Sequence, residues 1–353
     1  MMPFRKGFPS VVFLIVFFAV FSLFFTSASA ADPFYEGKNI RLIVGFSPGG
    51  FFDLRARHLA RHMGRFIPGN PSVIVQNMPG GGGTVAANYL YGVAKPDGLT
   101  FGTIRGGDYV SQLIGMQGVE FDWTKYTFIG VANPTSQLLY MRADVPAKSW
   151  EDLQTIEKPV VVGETALGST GGAVLQVLRD QLGFNLHIIT GYKGGADIDA
   201  AAQRAEVHAR LMSLDPHLGR EPFVTWHKEQ FDVHILQTGR ERDPRMPDVP
   251  TIWEIMDELR TPADARQVLD VLLTGFDMHW LYVGPPGIPE DRVEILREAF
   301  MKSMTDERAV AEAVRMLGVP PQPLHGAKVA KMSQQVMQAT PETVGLIKEL
   351  FGK

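Results

Sequence analysis

Two glycine-rich turns carry the residues best suited to chemistry in this sequence. Ser47-Pro48-Gly49-Gly50-Phe51-Phe52-Asp53 and Pro79-Gly80-Gly81-Gly82-Gly83-Thr84 each follow a strand-like run and each open a segment with helical spacing. Glycine gives up more chain entropy on folding than any other residue. Four in a row therefore mark either slack or a place where backbone approaches something closely. The first N–H groups of a helix have no intrahelical acceptor, and the positive end of the helix dipole lies beside them. Two such starts side by side form an anion site built from backbone. For either loop alone a tight turn without a ligand is the simpler reading; the matched pair favours the anion site. Arg105 closes a third strand-like run at the same edge and is suited to pairing with a carboxylate, with an ordinary surface arginine as the alternative.

Other chemistries fail on specific residues. Neither loop contains G-x-x-x-x-G-K-[ST], so no lysine is placed for a nucleotide phosphate, and Val85 stands where a dinucleotide loop needs its third glycine. Gly45-Phe46-Ser47-Pro48-Gly49 matches the hydrolase elbow G-x-S-x-G, but the residue after the serine must donate its backbone N–H to the oxyanion. Here that residue is Pro48, which has none. Ser47 is therefore read as a turn or hydrogen-bonding residue. His58 and His62 share a helical face without an adjacent glutamate, which favours a solvated pair over a zinc site. His187, His208 and His217 show no ligand spacing. No paired carboxylates, nucleophile or metal set emerges, and no cofactor is expected.

The elements around the loops follow a repeating grammar. Strand-like runs at Lys38–Phe46, Ser72–Gln76 and Leu99–Ile104 alternate with helical spacing over Phe51–Phe66 and Thr84 to about Val93. The turn Lys95-Pro96-Asp97-Gly98 separates the second helix from the third strand. This order predicts right-handed β-α-β units, with the glycine loops at the carboxyl edge of a parallel sheet, where crevices form. The grammar recurs at Pro159–Gly163, Ala173–Leu182, Leu186–Thr190, Ala196–Ala205 and Val207–Leu211. Beyond a strand at Trp280–Gly284 and the turn Pro285-Pro286-Gly287, the chain reads as helix over Glu290–Met304, Glu307–Leu317 and Ala327–Phe351.

Composition sets the compartment. Arg5 and Lys6 precede an apolar run from Val11 to Phe25 and a small-residue site, Ala28-Ser29-Ala30, which together predict a secretory signal cleaved after Ala30. The run is shorter than the roughly 20 residues a spanning helix needs. Cleavage would remove two positive charges and no acidic ones, taking the formal net charge from −4 to −6. A mildly acidic exported chain has no electrostatic reason to bind nucleic acid. With no cysteine, disulfides, thiol nucleophiles and thiolate metal sites are excluded. The remaining 323 residues exceed what one core usually supports, so two domains are expected.

The loops, in order, resemble the solute-binding receptors of tripartite tricarboxylate transporters. Their pattern P-G-G-x-x-D-x-x-x-R, N-x-P-G-x-G-G-T, P-D-G-x-T is similar to Pro48–Arg57, Asn77–Thr84 and Pro96–Thr100. Tyr192-Lys193-Gly194-Gly195, Pro247-Asp248-Val249-Pro250-Thr251-Ile252-Trp253-Glu254 and Gly284-Pro285-Pro286-Gly287-Ile288-Pro289 extend the likeness across nearly the whole mature chain. The resemblance implies an α/β, two-lobed periplasmic-binding-protein type 2 fold, each lobe a mainly parallel sheet flanked by helices, with a helical C-terminal region. It implies lobe 1 from residues 31–135 and 274–353 and lobe 2 from residues 136–273. It also implies capture of a small organic carboxylate by hinge closure in the periplasm and delivery to a membrane permease, by a protein that is not an enzyme and is monomeric. The family's first two loops hold one carboxylate through backbone amides and water. Carried over, these are Gly49, Gly50, Phe51, Phe52 and Asp53, and Gly81, Gly82, Gly83 and Thr84; Ser47 and Arg105 stand beside them as further candidates. Asp53 either contacts the ligand or braces the helix start. Lobe 2 would read the far end through Ser169, Thr170 and Asp215.

Two departures bear on the ligand. Phe51-Phe52 replaces the small or hydroxylated residues usual in the first loop, and would stack on an aromatic or long apolar acid or pack in the cleft. Arg204-Ala205-Glu206-Val207-His208 stands where G-x-V-D is common. The ligand class is thus a di- or tricarboxylate or an aromatic acid. A secreted enzyme using Asp53 or Asp215 as acid–base, and a receptor serving a signalling partner, are the alternatives.

Overall fold

The computed structural model describes residues 33–192 and 194–352, together with Met1. Met1 apart, the expected export signal over residues 1–30 lies outside the described residues, as does Lys193. The chain begins β1 (Asn39–Val44), α1 (Phe51–Met63), β2 (Ser72–Asn77), α2 (Thr84–Gly92), β3 (Thr100–Arg105), α3 (Asp108–Leu113) and β4 (Thr127–Val131). It continues with β5 (Gln137–Arg142), α4 (Trp150–Thr155), β6 (Val160–Gly163), α5 (Thr170–Asp180), β7 (Leu186–Ile189), α6 (Gly195–Gln203) and β8 (Ala209–Ser213). Next come α7 (Leu214–Gly219), α8 (Phe223–Glu229), β9 (Asp232–Gln237), α9 (Ile252–Glu258), α10 (Ala263–Asp277) and β10 (Trp280–Gly284). The tail comprises α11 (Glu290–Thr305), α12 (Glu307–Leu317), β11 (Leu324–His325), α13 (Gly326–Val336) and α14 (Pro341–Gly352).

The strands form two sheets, ordered β11-β4-β10-β3-β1-β2 and β7-β6-β8-β5-β9. The parallel ladders among the described strands are β2-β1-β3 and β7-β6-β8, where β-α-β crossovers connect the strands. Strands β10, β11, β5 and β9 add to these antiparallel. Both sheets are therefore mixed, and the parallel portions are those that carry the glycine-rich turns. The chain passes from the first sheet to the second between β4 and β5 and returns through α9, α10 and β10.

Side-chain periodicity explains the layers. On α1, Ala56, Leu59 and Met63 recur at helical spacing and are buried against Ile40, Leu42 and Val44 of β1 and Leu296 and Phe300 of α11. In the other lobe, Ala173, Val174, Val177 and Leu178 bury one face of α5 in the larger core, which also takes Val268, Leu269 and Leu272 of α10. Capping boxes at Ser149/Asp152 and Thr251/Glu254 fix the starts of α4 and α9. The expected helix over Ala327–Phe351 is instead two helices, because Pro341 has no N–H and disfavours helix at Thr340. Freed by that break, α14 packs against α5 and α10, whereas α13 lies on β4.

Candidate functional site

The carboxyl ends of β1, β2 and β3 lie at one edge of the first sheet. Because β10 runs antiparallel to β3, Trp280 pairs with Arg105 and the start of β10 joins the same edge. Both glycine loops emerge there. Gly49, Gly50, Gly81 and Gly82 are exposed, as are Ser47 and Pro48. Gly80, Gly81, Gly82 and Gly83 all have positive φ, at 147°, 55°, 63° and 107°, values that L side chains rarely adopt. The run is therefore an ordered turn into α2, fixed by a hydrogen bond of 2.9 Å from Gly83 N–H to the Gly80 carbonyl.

Asp53 couples the two loops. Its Oδ2 accepts from Gly49 N–H at 2.9 Å and from Arg57 Nε at 2.9 Å, and its Oδ1 accepts from Asn77 Nδ2 at 2.9 Å. Asn77 also donates to the Phe46 carbonyl at 2.9 Å. Burial works to raise the Asp53 pKa, but the bonds from Arg57, Gly49 and Asn77 outweigh it and hold the carboxyl below its usual value. A carboxylate so engaged ties loop one to loop two and to the first turn of α1.

The aromatic residues of the first loop are packed. Phe52 stacks on Phe46 with centroids 4.2 Å apart and lies 4.7 Å from Trp280 and 5.7 Å from His279. Phe46 in turn meets Gly83, where a Cβ would stand 3.3 Å from the ring. Phe51 lies 4.9 Å from Trp280. Arg55, from the next turn of α1, is centred 4.9 Å from the Phe51 ring, and Arg220, from beyond α7 in the other lobe, 5.2 Å from it. This ring thus has a guanidinium from each lobe beside it.

The edge is rich in positive charge. Arg105 Nε donates to Asp108 at 2.8 Å, and a Cβ on Gly82 would lie 3.3 Å from Arg105 Nη1, so its guanidinium faces the second glycine loop. Arg55 is only 3% exposed, yet among the described residues it makes no ion pair. Its Nη1 bonds Asn133 Oδ1 at 2.8 Å, while Nε and Nη2 have no partner. Burial lowers its pKa to about 10, with Tyr282 and Asp215 opposing, so it stays charged at neutral pH. Burial, reinforced by Arg55 and Arg105, pushes His279 down to about 3 and keeps it neutral. Neither Arg55, Arg220 nor His279 stands out in the sequence; the available signal is an arginine one turn from Phe51, at helical spacing with the apolar Ala56, Leu59 and Met63.

The second-lobe candidates separate. Thr170 comes up against the first lobe, since a Cβ on Gly107 would collide with its Oγ1. Ser169 caps α5, its Oγ accepting from Gly172 N–H at 2.9 Å. Asp215 accepts from Arg245 at 2.9 Å and lines a cavity of about 510 Å³ between the lobes with Asn133, Thr135 and Phe276, a cavity that none of the glycine-loop residues line. Nor are His58 and His62 a solvated pair. His58 is buried with Nε2 2.8 Å from the Ala309 carbonyl, and His62 bonds Glu312 at 2.6 Å, so both fasten α1 to α12.

Comparison with known proteins bears on the same features. A family model described as the tripartite tricarboxylate transporter family receptor matches residues 56–350. Among solved structures, the periplasmic binding protein BugD is similar with a TM-score of 0.67 at 21% identity, covering 90% of this chain and 99% of that one. MatC from Rhodopseudomonas palustris with bound malate gives 0.65 at 20% identity over 89% of this chain and 99% of that one. A second protein of that organism, Rpa4515, with adipate, gives 0.67 at 21% identity over 89% and 98%. At such identities these likenesses establish the fold.

Proposed function

The chain belongs to the tripartite tricarboxylate transporter receptor family, and from that premise we propose that it is a periplasmic receptor that closes over a small organic carboxylate and delivers it to a membrane permease. One carboxylate of the ligand occupies the space between the two glycine loops. There the first N–H groups of α1 have no intrahelical acceptor, those of Thr84 and Val85 at the start of α2 turn back onto the Gly81 and Gly80 carbonyls, and the two helix dipoles present their positive ends. The observation that carries this reading is the placement of Arg105, whose guanidinium faces Gly82 at the mouth of the second loop. Arg55 and Arg220, without ion-pair partners among the described residues, add positive potential from both lobes.

In this reading Ser47, Gly49, Gly50, Phe51 and Phe52 and Gly81 to Thr84 line the carboxylate, and Asp53 braces them. Residues 31–135 and 274–353 move as one lobe and residues 136–273 as the other, with Thr170 meeting the far side of the ligand on closure. The apolar wall of Phe51, Phe52 and Trp280 favours a ligand with an aliphatic or aromatic body between its polar ends. Malate and adipate in MatC and Rpa4515 support the dicarboxylate class.

A thermal-shift screen of the mature protein against mono-, di- and tricarboxylates and aromatic acids tests the proposal. A ligand at about 100 times its dissociation constant should add roughly 2.7 kcal/mol of stability. No shift with any carboxylate contradicts the receptor reading, and turnover of a carboxylate in the same samples points to an enzyme.

A further inference from the structure

The second lobe brings together a group of side chains that the carboxylate site does not use. His217 Nε2 lies 3.0 Å from His234 Nε2, 3.0 Å from His227 Nε2 and 3.0 Å from Asp232 Oδ2. Asp232 Oδ2 is also 3.8 Å from His227 Nε2 and 3.5 Å from His234 Nε2. All four atoms fall within 4.8 Å of one another. The His217 and Asp232 side chains are fully buried, and those of His227 and His234 are 26% and 23% exposed.

Hydrogen bonding does not account for this arrangement. An imidazole nitrogen has either one N–H or one lone pair, so it can serve one partner at a time. His217 Nε2 has three at 3.0 Å, inside a side chain closed to water. Neither oxygen of Asp232 has a well-aligned donor. Leaving such groups unmet in the interior is costly. A cation at their centre would engage the three Nε2 atoms and Asp232 Oδ2 together. Tetrahedral metal–nitrogen bonds of about 2.0–2.1 Å place donor atoms roughly 3.3 Å apart, inside the observed spread. The contrast with His58, His62 and Glu312 is direct, because there the ring nitrogens already bond a carbonyl and a carboxylate.

We propose that Nε2 of His217, His227 and His234 and a carboxylate oxygen of Asp232 form a closed four-ligand site for a divalent first-row transition metal, with Zn(II) as occupant. Three imidazoles and one carboxylate suit zinc, whereas calcium and magnesium require mostly oxygen ligands and higher coordination numbers. Four protein ligands fill a tetrahedron and leave no position for a reacting water, so the role is structural. Asp232 and His234 alternate on β9 and so share one face of the strand. His217 and His227 come from α7 and α8, helices of six and seven residues that are too short to be stable alone. The metal pins both helices to β9. Tyr140 stacks on the His217 ring at 5.0 Å and closes the site from the sheet side. Because α7 leads directly into Arg220, which lies over Phe51, the ion also steadies the second lobe's approach to the cleft. The site itself stands on its own geometry, independently of the receptor reading.

The test uses mature protein stripped with a chelator, desalted and titrated with zinc chloride. One Zn(II) per chain should remain after desalting, the unfolding midpoint should rise, and Mg(II) or Ca(II) should produce neither effect. Co(II) should give the visible d–d absorption of a tetrahedral site. His227→Gln and His234→Gln, both at partly exposed positions, should each weaken zinc binding by more than the about 10–100-fold typical of losing an outer-shell partner. The double substitution should abolish stoichiometric binding with the circular dichroism spectrum unchanged. His187→Gln, at an exposed position, should bind as the wild type does. Failure of folded wild-type protein to retain zinc overturns the proposal. So does stoichiometric zinc on the folded double variant, and if that variant does not fold, wild-type affinity in both single variants overturns it.

Discussion

Substituting Gly82 with aspartate places a fixed carboxylate where the ligand's is proposed to sit. Gly82 has φ 63° and ψ 22°, a left-handed conformation that costs most L residues about 1–2 kcal/mol but that Asp and Asn visit more readily. A Cβ there meets the Arg105 guanidinium at 3.3 Å, the far end of a side chain that can yield. The new carboxylate would pair with Arg105, whose side chain is 26% exposed, and a pair of that kind contributes about 0.2–1 kcal/mol. The two effects nearly offset, so Gly82→Asp should lower stability by no more than about 1 kcal/mol, a midpoint change of roughly 2–4 °C. Binding should suffer far more. Two like charges about 4 Å apart repel by about 4 kcal/mol at an effective dielectric constant near 20, which is roughly a thousandfold in affinity. Gly82→Asn supplies the control: same shape, same backbone preference, no charge. Isothermal titration with the best carboxylate from the screen should give an Asp/Asn ratio of dissociation constants of about 100–1000, shrinking as salt screens the pair. A ratio within threefold of unity would refute the placement of the carboxylate at the second loop.

Other substitutions separate bracing from binding. Asn77→Ala removes the donor that joins Asp53 to the Phe46 carbonyl and leaves two acceptors short; it should cost about 1–3 kcal/mol of unfolding free energy, and an unchanged denaturant midpoint would show that the loops are not held this way. Arg55→Met exchanges a buried cation with two unpartnered donors for an apolar chain; stability should stay within about 1 kcal/mol or rise, while carboxylate affinity falls about tenfold in titration, and unaltered affinity would remove Arg55 from the site's electrostatics. His279 makes the pH dependence specific. Its folded value of about 3 lies below the ordinary histidine value of 6.5, so the unfolded chain takes up this proton first. The stabilisation is therefore complete above about pH 6.5 and is lost as pH falls toward 3. Chemical denaturation from pH 7 to 4 should show a shallower loss for His279→Gln than for the wild type, by up to about 1.4 kcal/mol per pH unit; parallel curves would contradict the neutral, half-buried imidazole.

What the sequence makes legible is set by how local each signal is. The glycine loops stand between strand and helix as expected, and Trp280–Gly284 and Glu307–Leu317 match their elements residue for residue. Each is specified by its own neighbours: a short continuous apolar run for the strand, an Asp306 cap and a terminating Gly318 for the helix. The tail after Ala327 shows the opposite case, where apolar periodicity runs on through Pro341 and the local breaker decides the structure. Side-chain roles that depend on distant contacts are not visible in one dimension. Arg55 is an ordinary helix residue until Trp280 and Asn133 surround it. Asp215 follows a strand at the expected edge, yet Arg245 draws it into the interlobe cavity. The ligand set on His217, His227, Asp232 and His234 joins two short helices to a strand, and its spacing follows no compact metal motif, so only the fold reveals it.

The most direct test of the carboxylate cradle is a crystal structure of the mature protein with the best carboxylate from the screen. The account predicts one carboxylate between the two glycine loops, its oxygens within about 3 Å of backbone N–H groups at the start of α1 and in the second glycine loop, with Arg105 beside it and Thr170 closing from the other lobe. A ligand bound instead in the interlobe cavity lined by Asp215 and Arg245, with the glycine loops empty, would contradict it.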